Sequence, residues 1–162
     1  MTAAPRLPAL FHVGFVVADL EAAGADYERR YGIPVERVFD LTVEDAELDG
    51  APARFSARYG FLPLGNTDLE LIQPLEGDSP YSRFLAGHGD GIHHLAFVVD
   101  SIDAYLEHLR ATEAGAELVL DARVPGGLRF VYVDGTAYGT VLELVEMPED
   151  FAPPAEATNL HL

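Results

Sequence analysis

Two histidines and two glutamates recur at matched places along this 162-residue chain. The stretch His12-Val-Gly-Phe-Val-Val-Ala-Asp-Leu returns as His94-Leu-Ala-Phe-Val-Val-Asp-Ser-Ile. Likewise Thr67-Asp-Leu-Glu70-Leu-Ile-Gln-Pro returns as Thr140-Val-Leu-Glu143-Leu-Val-Glu-Met-Pro. A lone strand histidine is ordinarily one with a mundane hydrogen-bond partner. Four potential ligands at equivalent points of a duplicated sequence point instead to one metal site shared between the halves. Two imidazoles and two carboxylates suit a borderline divalent ion such as Zn, Co, Ni, Mn or Fe(II). An ion that takes six ligands would keep two positions for water or a bidentate substrate.

These residues need strands to hold them. Successive side chains on a strand point to opposite faces. Phe11, Val13, Phe15 and Val17 make one apolar face suited to packing on a helix, which leaves His12, Gly14 and Val16 on the other. The same alternation turns His94, Ala96 and Val98 inward, with His93 outward or at the rim. On the closing strands, Leu69/Leu71 and Leu142/Leu144 face the helices, so Glu70 and Glu143 face in. Gly14 and Ala96 are small and leave room beside the two histidines.

The elements follow in a repeated order. The first half reads as a strand at 11–17, a helix from Leu20 to Tyr31 capped by Asp19 and stopped at Gly32, and strands at 35–41, 54–62 and 69–73. The acidic stretch 44–53 reads as a loop, with Asp49-Gly50 a turn. A short helix capped by Asp78 or Ser79, with Pro80 in its first turn, falls between the halves. The second half reads as a strand at 92–99, a helix at 102–114, and strands at 118–120, 128–133 and 141–146. The predicted class is α+β: two tandem βαβββ modules forming a curved eight-stranded mixed sheet, a cup with helices outside. Residues 8–148 are expected to be one domain of two modules (8–74 and 91–148, linker 75–90), with 149–162 a flexible tail. Concave faces of this kind take small molecules.

Composition narrows the function classes. With 27 acids against 10 Lys and Arg, the net charge of -17 repels nucleic acid and anionic membrane surfaces. No apolar run approaches the roughly 20 residues that span a bilayer. No signal peptide is legible at the N-terminus, so a cytoplasmic location is expected. Cysteine is absent, which removes thiolate ligands and disulfides.

With these residues in view, the chain from Leu10 to Pro148 resembles the vicinal-oxygen-chelate superfamily, which includes glyoxalase I, extradiol dioxygenases, bleomycin-resistance proteins and methylmalonyl-CoA epimerases. The segments 64–80 and 83–104, the latter containing Gly-Ile-His93-His94-Leu-Ala-Phe, look most like the epimerases. The resemblance implies His12, Glu70, His94 and Glu143 as metal ligands. It also implies Lewis-acid stabilisation of an enolate from a methylmalonyl-CoA-like thioester, with Glu143 and Glu70 catalytic and Glu143 moving protons. A homodimer with no nucleic-acid or membrane partner is the implied assembly. The same four ligands would serve a glyoxalase-type lyase, whereas an extradiol dioxygenase uses His, His and Glu, and drug-binding members generally lack the ligands.

Two departures from the epimerase pattern bear on substrate. The strand before Glu70 carries no Asp or Glu, with Arg58 or Tyr59 near the expected acid. A His-Pro-Lys element before the last strand is replaced by Tyr132-Val-Asp-Gly-Thr-Ala-Tyr-Gly. Tyr59, Arg58, Phe130 and Tyr132 are the candidate substrate-binding residues, with Phe61 a further aromatic of the cup. Arg129 reads as a solvated edge-strand residue, His88 and His93 as loop and packing residues, and Gly87–Gly91 as a weak match to a phosphate loop.

Overall fold

The computed structural model describes residues 5–112, 117–134 and 139–151. Module one contains β1 (His12–Val16), α1 (Leu20–Tyr31), β2 (Arg37–Leu48), β3 (Ala51–Pro63) and β4 (Asp68–Glu76). A connecting helix α2 (Pro80–His88) leads to module two: β5 (Gly91–Val98), α3 (Ile102–Ala111), β6 (Glu117–Arg123), β7 (Arg129–Asp134) and β8 (Val141–Glu146). The strand order is β1-β4-β3-β2-β6-β7-β8-β5, closed back onto β1. Within each module the first and last strands pair in parallel, β1 with β4 and β5 with β8. Two antiparallel seams join the modules: β1 to β5, and Asp45–Leu48 of β2 to Leu120–Arg123 of β6. The expected cup thus closes into a barrel, with β2 paired to β6 only along Asp45–Leu48.

Local chemistry sets the helices. Asp19 accepts from the Ala22 amide at the start of α1, and Gly32 ends it at φ 67°, where a side chain would be strained. Ser79, rather than Asp78, caps α2 and forms a reciprocal capping box with Ser82, with Pro80 in the first turn. Asp78 pairs with Arg83 instead. The first amide of α1 donates to the Gln73 side chain and that of α3 to Glu146, each at 2.9 Å. Each closing strand therefore carries an inward glutamate and, three residues on, the outward anchor of its module's helix.

Three apolar clusters form. Val17, Leu20, Val38, Leu62 and Leu71 seal α1 to the outside of module one. Val99, Ile102, Leu106, Val131 and Leu144 do the same for α3. The largest cluster fills the barrel interior and includes Val16, Phe55, Tyr59, Ile72, Leu120 and Tyr132. Helix α2 lies outside like the other two but sends one side chain, Tyr81, into this interior cluster. The loop expected at 44–53 is also corrected. β2 and β3 run through it as a hairpin whose turn residues, Asp49 (φ 51°) and Gly50 (φ 78°), both take positive φ as a two-residue type I′ turn requires. Its acids face outward while Val43, Ala46 and Leu48 are buried. Among the described residues, no helix is long and apolar enough to cross a membrane. The tail expected at 149–162 lies outside the described residues beyond Phe151, as do the last two residues of the helix expected at 102–114.

Candidate metal centre

Strand register brings the four donors together. Gly14 on β1 faces Glu70 on β4 and His94 on β5. Ala96 on β5 faces His12 on β1 and Glu143 on β8. Two adjacent lateral rows result, Glu70–Gly14–His94 and His12–Ala96–Glu143, each with a small residue at its centre. Neighbouring strands lie about 4.8 Å apart, so the side chains must lean across the small residues to meet. Gly14 shows how tight this is: a Cβ there would lie 2.1 Å from the His94 ring.

The donor atoms converge at ligand spacing. His12 Nε2 lies 3.1 Å from His94 Nε2, 3.1 Å from Glu70 Oε2 and 2.9 Å from Glu143 Oε2. His94 Nε2 lies 3.5 Å from Glu70 Oε2 and 3.1 Å from Glu143 Oε2. All four residues are buried, and each offers an atom within 4.8 Å of the other three. Ligand bonds of about 2.0–2.2 Å at tetrahedral or right angles put donor atoms about 2.9–3.5 Å apart. Two imidazole nitrogens at 3.1 Å with no oxygen between them are stable only if a proton or a cation is shared. Glu143 Oε2 is buried within 3.1 Å of both imidazole Nε2 atoms and has no other partner among the described residues, an acceptor of the kind a cation satisfies. The residues present therefore fit a divalent ion.

Without a metal, protons substitute for it. Burial disfavours the His12 cation, yet Glu70 and Glu143 outweigh burial and push its pKa up to about 11. His94 is raised by the same opposition, Glu143 acting most strongly. Burial would raise Glu70 and Glu143, but the facing imidazoles hold both below the usual carboxylate range.

A cavity of about 420 Å³ opens onto His12, Glu70 and Glu143, with His94 buried behind them. Its walls are apolar, with Phe39, Leu41, Phe61, Phe130 and Met147 prominent. Phe11, expected on the helix-facing side, also lines it, because it precedes the paired part of β1. A larger groove of about 770 Å³ runs along α1 past Tyr27 and Asp90, but none of the four donors lines it.

The structure distributes the sequence candidates unevenly. Phe130 and Tyr132 line the cavity, and the Tyr132 ring tilts over His94 with centroids 4.9 Å apart. Tyr59 sits behind the lining. Its hydroxyl donates to Tyr81 Oη at 3.4 Å, and Tyr81 Oη lies 2.7 Å from Tyr132 Oη. Burial pushes all three phenols up, so they remain proton donors. Arg58 does not line the cavity. It is the outward neighbour of inward Tyr59 and makes a two-pronged pair with Asp40 opposite it on β2 (2.7 and 2.9 Å). Arg129 is likewise held outside by Asp121 and Asp103.

Two residues of the site lie beyond the sequence reading. His93, expected outward or at the rim as a packing residue, is buried. The β1–β5 register skips it, pairing Gly14 with His94 and Phe15 with Ile92, so a bulge turns both histidines inward. Its Nδ1 lies 3.0 Å from that of His94, and burial lowers its pKa to about 3, keeping the ring neutral. Arg37 lines the cavity mouth with its guanidinium 4.5 Å from the Phe61 ring and 5.9 Å from Phe39. Among the described residues no carboxylate pairs with it, and it lies on the same row as Phe61 and Glu70. The alternation Arg37-x-Phe39-x-Leu41 carried that signal.

Comparison with known proteins matches residues 11–132 to the Glyoxalase/Bleomycin resistance protein/Dioxygenase superfamily. Mitochondrial methylmalonyl-CoA epimerase of Homo sapiens is 34% identical over 106 residues, 65% of this chain and 54% of that protein, so this chain spans about half of it. A 2-epi-5-epi-valiolone epimerase of Actinomyces sp is 33% identical over 171 residues, 98% of this chain and 89% of that protein. The crystal structure of methylmalonyl-CoA epimerase from Mycobacterium tuberculosis aligns with a TM-score of 0.63 at 29% identity, over 91% of this chain and 93% of that one.

Proposed function

We propose that this chain, which belongs to the Glyoxalase/Bleomycin resistance protein/Dioxygenase superfamily, is a metal-dependent epimerase that enolises a carbonyl substrate. The observation that carries the reading is the buried convergence of His12, Glu70, His94 and Glu143 at ligand spacing on the floor of an apolar cavity. A divalent ion held by these four would supply Lewis-acid polarisation of a substrate carbonyl. Glu70 on β4 and Glu143 on β8 flank the histidine pair from opposite sides, since the strands run β4-β1-β5-β8. Glu143, held ionised by the facing imidazoles, takes the α-proton from one face, and a proton drawn from solvent past Glu70 reaches the other, which inverts the carbon; the roles reverse for the other isomer. The interior face of β3 carries Phe55, Ala57, Tyr59 and Phe61, so no acid there shares the work. Tyr132, whose ring tilts over His94, forms part of the wall against which the substrate sits. Glu70 turns toward the donors, which favours this reading over a three-ligand dioxygenase site.

The nominal substrate is a methylmalonyl-CoA-like thioester. A second reading, a smaller carbonyl compound without CoA, is favoured by the near full-length match to the valiolone epimerase. In either case Arg37 meets an anionic or polar group at the cavity mouth, and Arg37→Gln is expected to raise KM with little change in kcat. The deciding experiment incubates Co(II)-loaded protein in D2O with methylmalonyl-CoA and, separately, with 2-epi-5-epi-valiolone. Deuterium at the carbon beside the carbonyl is read by NMR. Exchange with one of them, slowed about 10²–10⁴-fold by Glu143→Gln, supports the reading; no exchange with either counts against it.

A further inference from the structure

We propose that His93 is a positioning residue for the metal centre: its Nδ1 accepts the Nδ1 proton of His94 and fixes His94 in the tautomer whose Nε2 is free to bind a divalent ion. This rests on the donor cluster being a metal site. The two Nδ1 atoms lie 3.0 Å apart in the barrel interior. Between two such nitrogens there is room for one proton, because two protons or two lone pairs would repel. If His93 supplied that proton, neutral His94 would carry its own on Nε2. That is the atom 3.1 Å from both His12 Nε2 and Glu143 Oε2, and a protonated nitrogen has no lone pair for a metal. Ligation by His94 therefore makes it the donor, with His93 holding its own proton on Nε2.

The fold holds His93 to this task. The β5 bulge turns it inward beside its neighbour, which regular alternation forbids. Tyr81, Phe84 and Tyr132 pack around its ring with centroids 5.7, 5.2 and 5.2 Å away, at steep interplanar angles. The sequence repeat breaks at this place. Module one has Phe11 before its ligand, a ring without a hydrogen-bonding atom, and His12 Nδ1 is buried with no partner among the described residues. Of the two imidazole ligands, only His94 is oriented from behind. Groups that orient a metal-binding histidine are commonly worth 10–100-fold in affinity.

The test compares zinc affinity, by competition with a chelating dye, in the full chain and in His93→Phe and His93→Asn. Phenylalanine keeps the ring packing and removes the acceptor; asparagine places Oδ1 where Nδ1 was. The expected result is affinity about 10–100-fold weaker in His93→Phe and near wild type in His93→Asn, with circular dichroism unchanged. Side-chain ¹⁵N NMR of the zinc-loaded wild type is expected to show His94 protonated at Nδ1, a readout that needs no variant to fold. Equal affinity in His93→Phe and wild type, no rescue by asparagine, or a proton on His94 Nε2 would overturn the proposal. A wild-type protein that takes up no zinc would overturn the metal reading itself, and this inference with it.

Discussion

A methyl group at Gly14 would occupy the space of the His94 ring, since the nearest ring atom lies 2.1 Å from where that carbon would sit. The ring is enclosed and fully buried, so it can yield only by leaving the donor cluster. Gly14→Ala is expected to weaken zinc binding by at least about tenfold, no less than the loss of a residue that orients a ligand. Calorimetric titration checks this, and unchanged affinity would mean that the ring has room to move. The same residues set a pH dependence. In the metal-free protein Glu70 and Glu143 outweigh burial and raise His12 from 6.5 to about 11. Folding therefore gains stability from this proton fully below about pH 6.5, and the gain is lost as pH climbs toward 11. A bound divalent ion displaces the proton, so zinc affinity is expected to rise with pH through that window, by up to about tenfold per unit for one proton released. Affinities measured at about pH 7 and about pH 8.5 decide it; a flat profile would mean that His12 is already deprotonated in the metal-free fold.

At the scale of the element, α2 is both connector and plug. Tyr81 enters the barrel among Phe55, Tyr59 and Tyr132, and its hydroxyl links the other two phenols. Removing the ring leaves a void between strands that are tied to each other and cannot collapse. Tyr81→Ala is expected to cost about 3–5 kcal/mol. Tyr81→Phe, which loses only the hydroxyl bonds, is expected to cost about 1 kcal/mol. Urea unfolding midpoints separate the two, and equal losses would place the stability in the hydroxyl chain rather than in the packing. Elements with strong local signals were legible beforehand: α1 from Asp19 and Gly32, α2 from Ser79-Pro80, and β8 from its alternation. The distal part of the β2–β3 hairpin, expected as a loop, was not, because its outer face is acidic and its register shifts between Val43 and Ala46, which breaks the period of two.

The whole molecule carries a charge of -17 with arginine as its only strong cation, lysine being absent. The visible arginine pairs are mostly exposed, such as Arg58–Asp40 and Arg54–Glu44, and pairs of that kind contribute little. Repulsion among the excess carboxylates is the larger effect, and salt screens it, with a Debye length of about 10 Å at 0.1 M. The melting temperature of the metal-free protein is accordingly expected to rise between low salt and about 0.5 M NaCl. A fall would show that the arginine pairs outweigh the net repulsion. Barrel closure belongs to this scale as well. The β2–β6 seam brings together segments from different modules, and neither segment marks its partner in its own sequence.

The duplication of His12 with His94 and of Glu70 with Glu143 determined, from sequence alone, the two βαβββ modules, the inward face of four strands and which four side chains converge there. Period-two alternation and repeated spacing are local properties, so they can be read one segment at a time. The tertiary structure decided what depends on register between distant strands. It placed Gly14 and Ala96 at the centres of the donor rows, sent Arg58 outward and left Arg37 as the cation at the mouth. It also turned His93 inward through one extra residue in β5. A single-residue shift in pairing exchanges the two faces of a strand, and a side-chain contact across 82 positions of sequence leaves no trace in either strand alone.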